Sequence, residues 1–298
     1  MSRLSARHLV MAAVATTLVV LATNPLPRTS ALMSSRTANG ATVANALLHT
    51  PTSLQVTIGT TGGTAISLSW TASPTLWSSG ERVYRRLTTT GAFTKVAEFA
   101  NLTTTTYSED PGTSDAYYVV RAYYTNANGG NWESQDSNQV KPPVHTSALQ
   151  IVNAVASIPD EPDLGDQIVL TYSEAMLPSS FGTCATGGNS GTDLTLNATN
   201  PNTIVANGTN LTVGTVNLGG TGYFTIGGTA LNSTCSWNAG NTKLTITFGT
   251  VLNGGIVTTP NTATYRPDLP ASPTLQIKSA LGENLNTTVH PTTTGIFF

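Results

Sequence analysis

One pattern governs most of this chain. Short runs of alternating apolar and polar residues recur, each closed by a Gly, Asn or Pro break. Leu54, Val56 and Ile58 fall on one face; after Gly62-Gly63, Ile66, Leu68 and Trp70 fall on another. Val83 follows Gly80, Phe93 to Phe99 alternates, Tyr107 closes a Thr-rich run, Tyr118, Val120 and Ala122 alternate again, and Val140 precedes Pro142-Pro143. A period of two belongs to a strand with one face buried, and no stretch keeps a capped 3.6-residue period. About seven short strands within roughly 95 residues is the signal of an antiparallel sandwich.

A second strand-rich region begins near Leu149. Leu149, Ile151 and Val155 to Ile158 form its first run, and Ile168 to Tyr172 the next. From Asp193 onward, Thr/Val/Leu runs alternate with the turns Asn207-Gly208, Gly219-Gly220, Gly227-Gly228 and Gly254-Gly255. The cleanest strand is Lys243 to Phe248, with Leu244, Ile246 and Phe248 on one face. Between the two regions, Pro142-Pro143 fixes an extended backbone and predicts a semi-rigid spacer that sets orientation without a large interface. The expected fold class is all-β, two β-sandwich domains in tandem after a signal peptide. The expected layout is a signal peptide at 1–31, a flexible lead-in at 32–49, a first sandwich at 50–142, a linker at 143–148 and a second sandwich at 149–298.

The N-terminus carries the marks of export. Arg3 and Arg7 precede an unbroken apolar or Thr run from Leu9 to Ala22. As a helix that run rises only about 21 Å, short of the ~30 Å hydrocarbon core. A cleaved secretory signal therefore fits better than a membrane anchor, with cleavage after Ala22 or after Ala31. No permanent membrane span is expected. The two cysteines, Cys184 and Cys235, lie in the second region. In an oxidising compartment an even pair reads as a disulfide, worth up to ~4 kcal/mol in the chain-entropy account; two independent buried thiols are the competing reading. Two cysteines without neighbouring histidines lack the four ligands of a zinc site.

Several of these runs carry a resemblance. Ile66-Ser-Leu-Ser-Trp70, Trp77 to Arg85, Tyr117-Tyr-Val-Val-Arg-Ala122, Asn131-Trp-Glu-Ser134 and Ser137-Asn138 resemble fibronectin type III domains of secreted actinobacterial proteins. The resemblance implies that Trp70 is a buried core tryptophan and that Tyr118, Val120 and Ala122 face inward. It also marks two departures: Glu81 stands where a tyrosine is usual, and Ala116 where a corner tyrosine is expected, so the corner hydrogen bond should be missing. Leu164 to Met176 resembles the opening of bacterial Ig-like domains of the surface-layer type, which implies a second β-sandwich.

The chemistry legible in the sequence is sparse. Charged residues are 9% of the chain and the net charge is −2, which offers no basic face for nucleic acid. His8, His49, His145 and His290 stand beside no Ser or Cys on an expected core strand, so no nucleophile–base pair is apparent. Glu109, Asp110 and Asp115 read as solvated turn acids beside Pro111-Gly112, and no catalytic residue is assigned. Asp160, Glu161, Asp163 and Asp166 form a carboxylate-rich loop that calcium could use; alternatively, Asp166 caps a turn before a strand. Trp77 and Trp132 are expected at one end of the first sandwich, either as a sugar-stacking platform or packed on each other to close that end. Trp237 reads as a core residue covering the disulfide. Arg82, Arg85 and Arg86 read as a solvated strand edge. The expected function is a non-catalytic secreted or cell-surface structural or adhesion protein in contact with cell-envelope polymers. The alternative is a carbohydrate-binding accessory protein of extracellular polysaccharide degradation.

Overall fold

A computed structural model describes residues 47–153, 161–181, 185–186, 190–200, 203–208, 211–219, 223, 229–249, 259–267 and 277–295. The expected signal peptide, most of the lead-in, Asp160 and Cys184 lie outside the described residues. No described helix is long and apolar enough to cross a membrane.

The chain is all-β. Its first domain has two facing sheets. β1 (Thr52–Ile58), β2 (Ile66–Thr71) and β5 (Thr106–Glu109) form one, in the order β1-β2-β5. β3 (Gly80–Arg86), β4 (Thr94–Phe99), β6 (Tyr117–Thr125) and β7 (Asn131–Glu133) form the other, in the order β4-β3-β6-β7. β2 realises the period-two pattern in full, burying Ile66, Leu68 and Trp70 while the residues between them face water. Leu54, Val83, Ala116, Tyr118 and Val120 complete this core, and the Trp70, Phe99 and Tyr107 rings run through it at centroid spacings of 6.0 and 6.4 Å. Each buried large aliphatic side chain contributes on the order of 1.5–3 kcal/mol.

The last strand of this domain is interrupted. Beyond Glu133 it steps three residues for every two of β6: the Ser134 N–H donates to Ala122 O at 2.9 Å, the Ser137 N–H to Val120 O at 3.0 Å, and Val140 pairs with Tyr118. The extra residue in each step removes a carbonyl from the ladder. The serine hydroxyls replace it, accepting from the Ala122 and Val120 N–H groups at 3.0 and 2.9 Å. Asn138 then grips Leu54 of β1 with both ends of its amide, at 2.8 and 2.9 Å, and so closes one edge of the sandwich.

The second domain is one ten-stranded sheet. Its strands are β8 (Thr146–Val152), β9 (Gln167–Tyr172), β10 (Ala185–Thr186), β11 (Ser190–Asn200), β12 (Thr203–Gly208), β13 (Leu211–Asn217), β14 (Thr229–Trp237), β15 (Lys243–Thr247), β16 (Asn261–Arg266) and β17 (Thr292–Gly295). They pair in the order β17-β16-β13-β12-β11-β14-β15-β9-β8, with β10 parallel to β14. The sheet bends until β17 approaches β8, so that β9, β14 and β15 face β13 and β16 across one core. Register builds that core in rows: Ile168–Ile246–Cys235 and Leu170–Leu244–Trp237. Trp237 packs at 5.7 Å on Tyr172 and 4.8 Å on Phe181.

The segment between the domains is more than a spacer. Pro142, Val144, His145 and Thr146 are buried, and Thr146 already opens β8. The His145 ring, 1% exposed, sets Nδ1 2.9 Å from Pro143 O and Nε2 2.6 Å from Gly63 O in the β1–β2 turn. The Gly63 N–H donates to Ser147 O at 2.6 Å, the His290 N–H to Thr60 O at 2.7 Å and the Ser114 N–H to Ser173 O at 2.9 Å. Gly62 holds a φ of +90°, and a Cβ there would lie 2.5 Å from Ser147 O. Only glycine tolerates both the conformation and the approach. Lys141 reaches out of the first domain to Glu174 at 2.7 Å and Glu283 at 2.5 Å. Proline rigidity says nothing about the turns on either side, and residues of those turns meet across the joint.

Candidate functional site

The residues singled out by the sequence fall into three places. The first is the end of the sandwich where the β2–β3 loop and the β6–β7 hairpin emerge. Tyr118, Val120 and Ala122 point into the core, and Tyr124 continues the same parity beyond the core's end. Its direct cross-strand partner on β7 is Trp132. The two rings stack, with centroids 5.4 Å apart and planes at 16°. Trp77, from the β2–β3 loop, meets Tyr124 edge to face at 5.3 Å and 80°. The two indoles therefore do not pack on each other. Tyr124 lies between them, a residue the sequence reading passed over although its position in the alternation places it there. Trp77 remains 40% exposed and Leu76 beside it 90%, while Trp132 is half-buried.

The loop that presents Leu76 and Trp77 is pinned from below. Glu81 is wholly buried and accepts from the Trp70 indole N–H at 2.5 Å and from the Ser73 N–H at 2.7 Å. Ser73 Oγ accepts from the Thr75 N–H at 3.2 Å and donates to His49 O at 2.6 Å; Thr75 Oγ1 accepts from the His49 N–H at 2.9 Å. On the far side, the Ser79 N–H donates to Tyr123 O and the Ser79 hydroxyl accepts from the Thr125 N–H.

The second place is the outer face of the β4-β3-β6-β7 sheet. Arg82 lies on a central strand, is buried, and stacks 4.0 Å over Tyr123. It pairs with Glu98 at 2.9 Å and Glu133 at 2.7 Å. Arg121 stacks 4.3 Å over Tyr84 and pairs with Glu133 at 3.1 Å and Asp136 at 2.5 Å. Burial works against the Glu133 charge, but donors from Tyr84, Arg82 and Arg121 hold its carboxyl below the usual range. Burial and the Glu133 carboxylate push the Tyr84 hydroxyl up to about 12. The reading of the arginines as a solvated edge is corrected, because cross-strand tyrosines and carboxylates cover their charge. Glu109 likewise is no solvated turn acid. It closes the lower end of the core, accepting from Tyr118 at 2.5 Å and Tyr107 at 2.9 Å and pairing with Arg85 at 3.0 Å. Tyr118 thus reaches back to the β5 end, two residues on from the tyrosine position that Ala116 occupies. Asp110 does sit in the turn, its carboxyl lowered by the Thr64 hydroxyl and the Gly112 N–H.

The third place is the acidic loop. Asp166 is buried and accepts from the Asp163 N–H at 2.7 Å. Gly165 N–H and Phe248 O bond at 3.0 Å, and Phe248 N–H and Asp166 O at 2.8 Å, tying the turn to the end of β15. This is turn-capping geometry. Among the described residues, no three His, Cys, Asp or Glu side chains stand together so as to hold a metal ion; Asp160 lies outside them. Cys235 is buried on β14 and is not a free thiol, while Cys184 lies outside the described residues.

No known family profile matches the chain, and no curated protein matches it. Among solved structures, a Fn3-like protein from Clostridium thermocellum is similar, at 27% identity and a TM-score of 0.26, over 32% of this chain and 91% of that one. The fold stands on the strand order given above.

Proposed function

We propose that this chain is a non-catalytic, exported protein that serves as a stiff two-domain structural or adhesion module among cell-envelope polymers. One observation carries the reading, the joint between the domains. His145, Lys141, Gly62 and three backbone hydrogen bonds engage both sides, as suits a module that transmits a fixed direction rather than one that hinges. Export through the first 31 residues, a surface-layer-type Ig-like second domain and a Cys184–Cys235 disulfide belong to the same reading. They rest on the basic and apolar N-terminus, on Leu164 to Met176 and on the even cysteine pair.

Spin labels on exposed positions of the two domains, Leu87 and Leu281, test the joint through the distribution of distances between them. A single narrow distance, broadened in Gly62→Val, is the expected outcome. A broad distribution in the wild-type protein sinks the stiff-module reading.

A second reading, a carbohydrate-binding accessory protein, is favoured by the exposure of Trp77 and Leu76 on the β2–β3 loop of the first domain.

A further inference from the structure

The β2–β3 loop sets its two most apolar side chains in water on a base that cannot give. Ser73 and Thr75 are buried at 3% and 4%, whereas Leu76 and Trp77 stand out at 90% and 40%. The loop's internal turn is closed by the Ser78 N–H on Thr75 O at 3.0 Å. Glu81 fixes its root from inside the core, and Tyr124 fixes the Trp77 ring. A side chain held in place before binding gives up little rotamer freedom on contact, so the exposure is spent on a pre-shaped surface rather than a mobile one.

The surroundings select the partner. No ionisable side chain occurs from Thr71 to Ser79 or from Thr125 to Trp132; the polar groups there are hydroxyls and amides, with Asn128 and Asn131 exposed. Among the described residues of the segment packed on the loop, the one ionisable side chain is His49. Arg82 and Arg121 of the adjoining sheet are paired with Glu98, Glu133 and Asp136. Among the described residues, a charged polymer would find no counter-charge at this tip. An uncharged polysaccharide presents apolar C–H faces for the indole and hydroxyl edges for amides and hydroxyls.

We propose that the Leu76–Trp77 tip, held by Glu81 and Tyr124, is a recognition site for an uncharged polysaccharide. This rests on the carbohydrate-binding reading and names its residues and ligand class. Adsorption of the purified chain to cellulose, xylan and chitin, against polygalacturonate and hyaluronate, tests it. The expected result is binding to at least one neutral polymer, weakened about tenfold by Trp77→Ala and unchanged by Leu164→Ser, an equally conspicuous leucine on the second domain. Near-UV circular dichroism confirms that each variant is folded.

Equal binding by wild type and a folded Trp77→Ala overturns the tip while leaving carbohydrate binding to another surface. Binding to the acidic polymers alone overturns the uncharged class. Binding to none of the five removes the carbohydrate reading itself. Trp77-dependent self-association in sedimentation, without adsorption, assigns the tip to a second copy of this chain and overturns the proposal.

Discussion

Glu81 inverts an ordinary rule about side chains. A carboxylate with no exposure is unfavourable in a sandwich core unless its oxygens are satisfied, and here an indole N–H and a backbone N–H satisfy one oxygen each. The sequence marked the position as a departure from the pattern it resembles. It could not supply the compensation, because Trp70 and Ser73 meet Glu81 only once β2 and β3 lie in facing sheets. The consequence is measurable. Glu81→Leu fills a similar volume but strands both donors, and should lower stability by about 2–4 kcal/mol. Glu81→Gln keeps an acceptor oxygen for the Ser73 N–H and should cost less than half as much. Urea unfolding of the three proteins checks the order. Equal loss in both variants would mean that the carboxylate's charge matters and the hydrogen bonds do not.

At the scale of elements, the interrupted strand after Glu133 depends on side-chain oxygens where a regular strand depends on backbone. Val120 N–H is wholly buried and has Ser137 Oγ as its acceptor. Ser137→Ala should therefore destabilise the domain by about 1–3 kcal/mol and speed hydrogen exchange at Val120 above that at Leu68, which lies on the opposite sheet. A uniform increase at both amides would refute a local role. This element also shows what was legible beforehand. Alternation located β1, β2 and β15 because each buries one face more than the other, and β6 by its inward row alone, since Val119 and Tyr123 are buried on its other face as well. It placed the closing strand at Val140, where only a bridge to Tyr118 exists, because a three-for-two step has no period to read. Arg82 read as solvated, and Arg121, Tyr84 and Glu133 were missed, for a related reason. Charge in a linear sequence reads as solvated, and only cross-strand register shows that opposite charges and rings cover one another. Trp77 and Trp132 were placed at the right end of the sandwich, while the ring between them was not.

For the whole molecule, the joint contains an ion pair between a lysine of one domain and two carboxylates of the other. Lys141 is 9% exposed, between Glu174 at 5% and Glu283 at 43%. Burial alone would lower its pKa, but the two carboxylates hold it above the ordinary lysine value. A group raised in this way stabilises fully below its unfolded value of about 10.4, and that contribution fades as pH rises through the higher folded value. Glu174 runs the other way from most carboxylates: burial pushes it up despite Lys141, so its ionised form opposes folding increasingly as pH climbs from about 4.3. Lys141→Met removes the cation and leaves a buried carboxylate without its partner, the costlier half of a broken pair. The distance between the domains should then broaden at pH 7 and narrow again when Glu174 takes up a proton in acid. Adding Glu174→Gln to Lys141→Met should restore the narrow distribution at pH 7. If the double variant stays as broad as the single one, the lysine holds the joint through its packed methylenes and the ion pair is incidental.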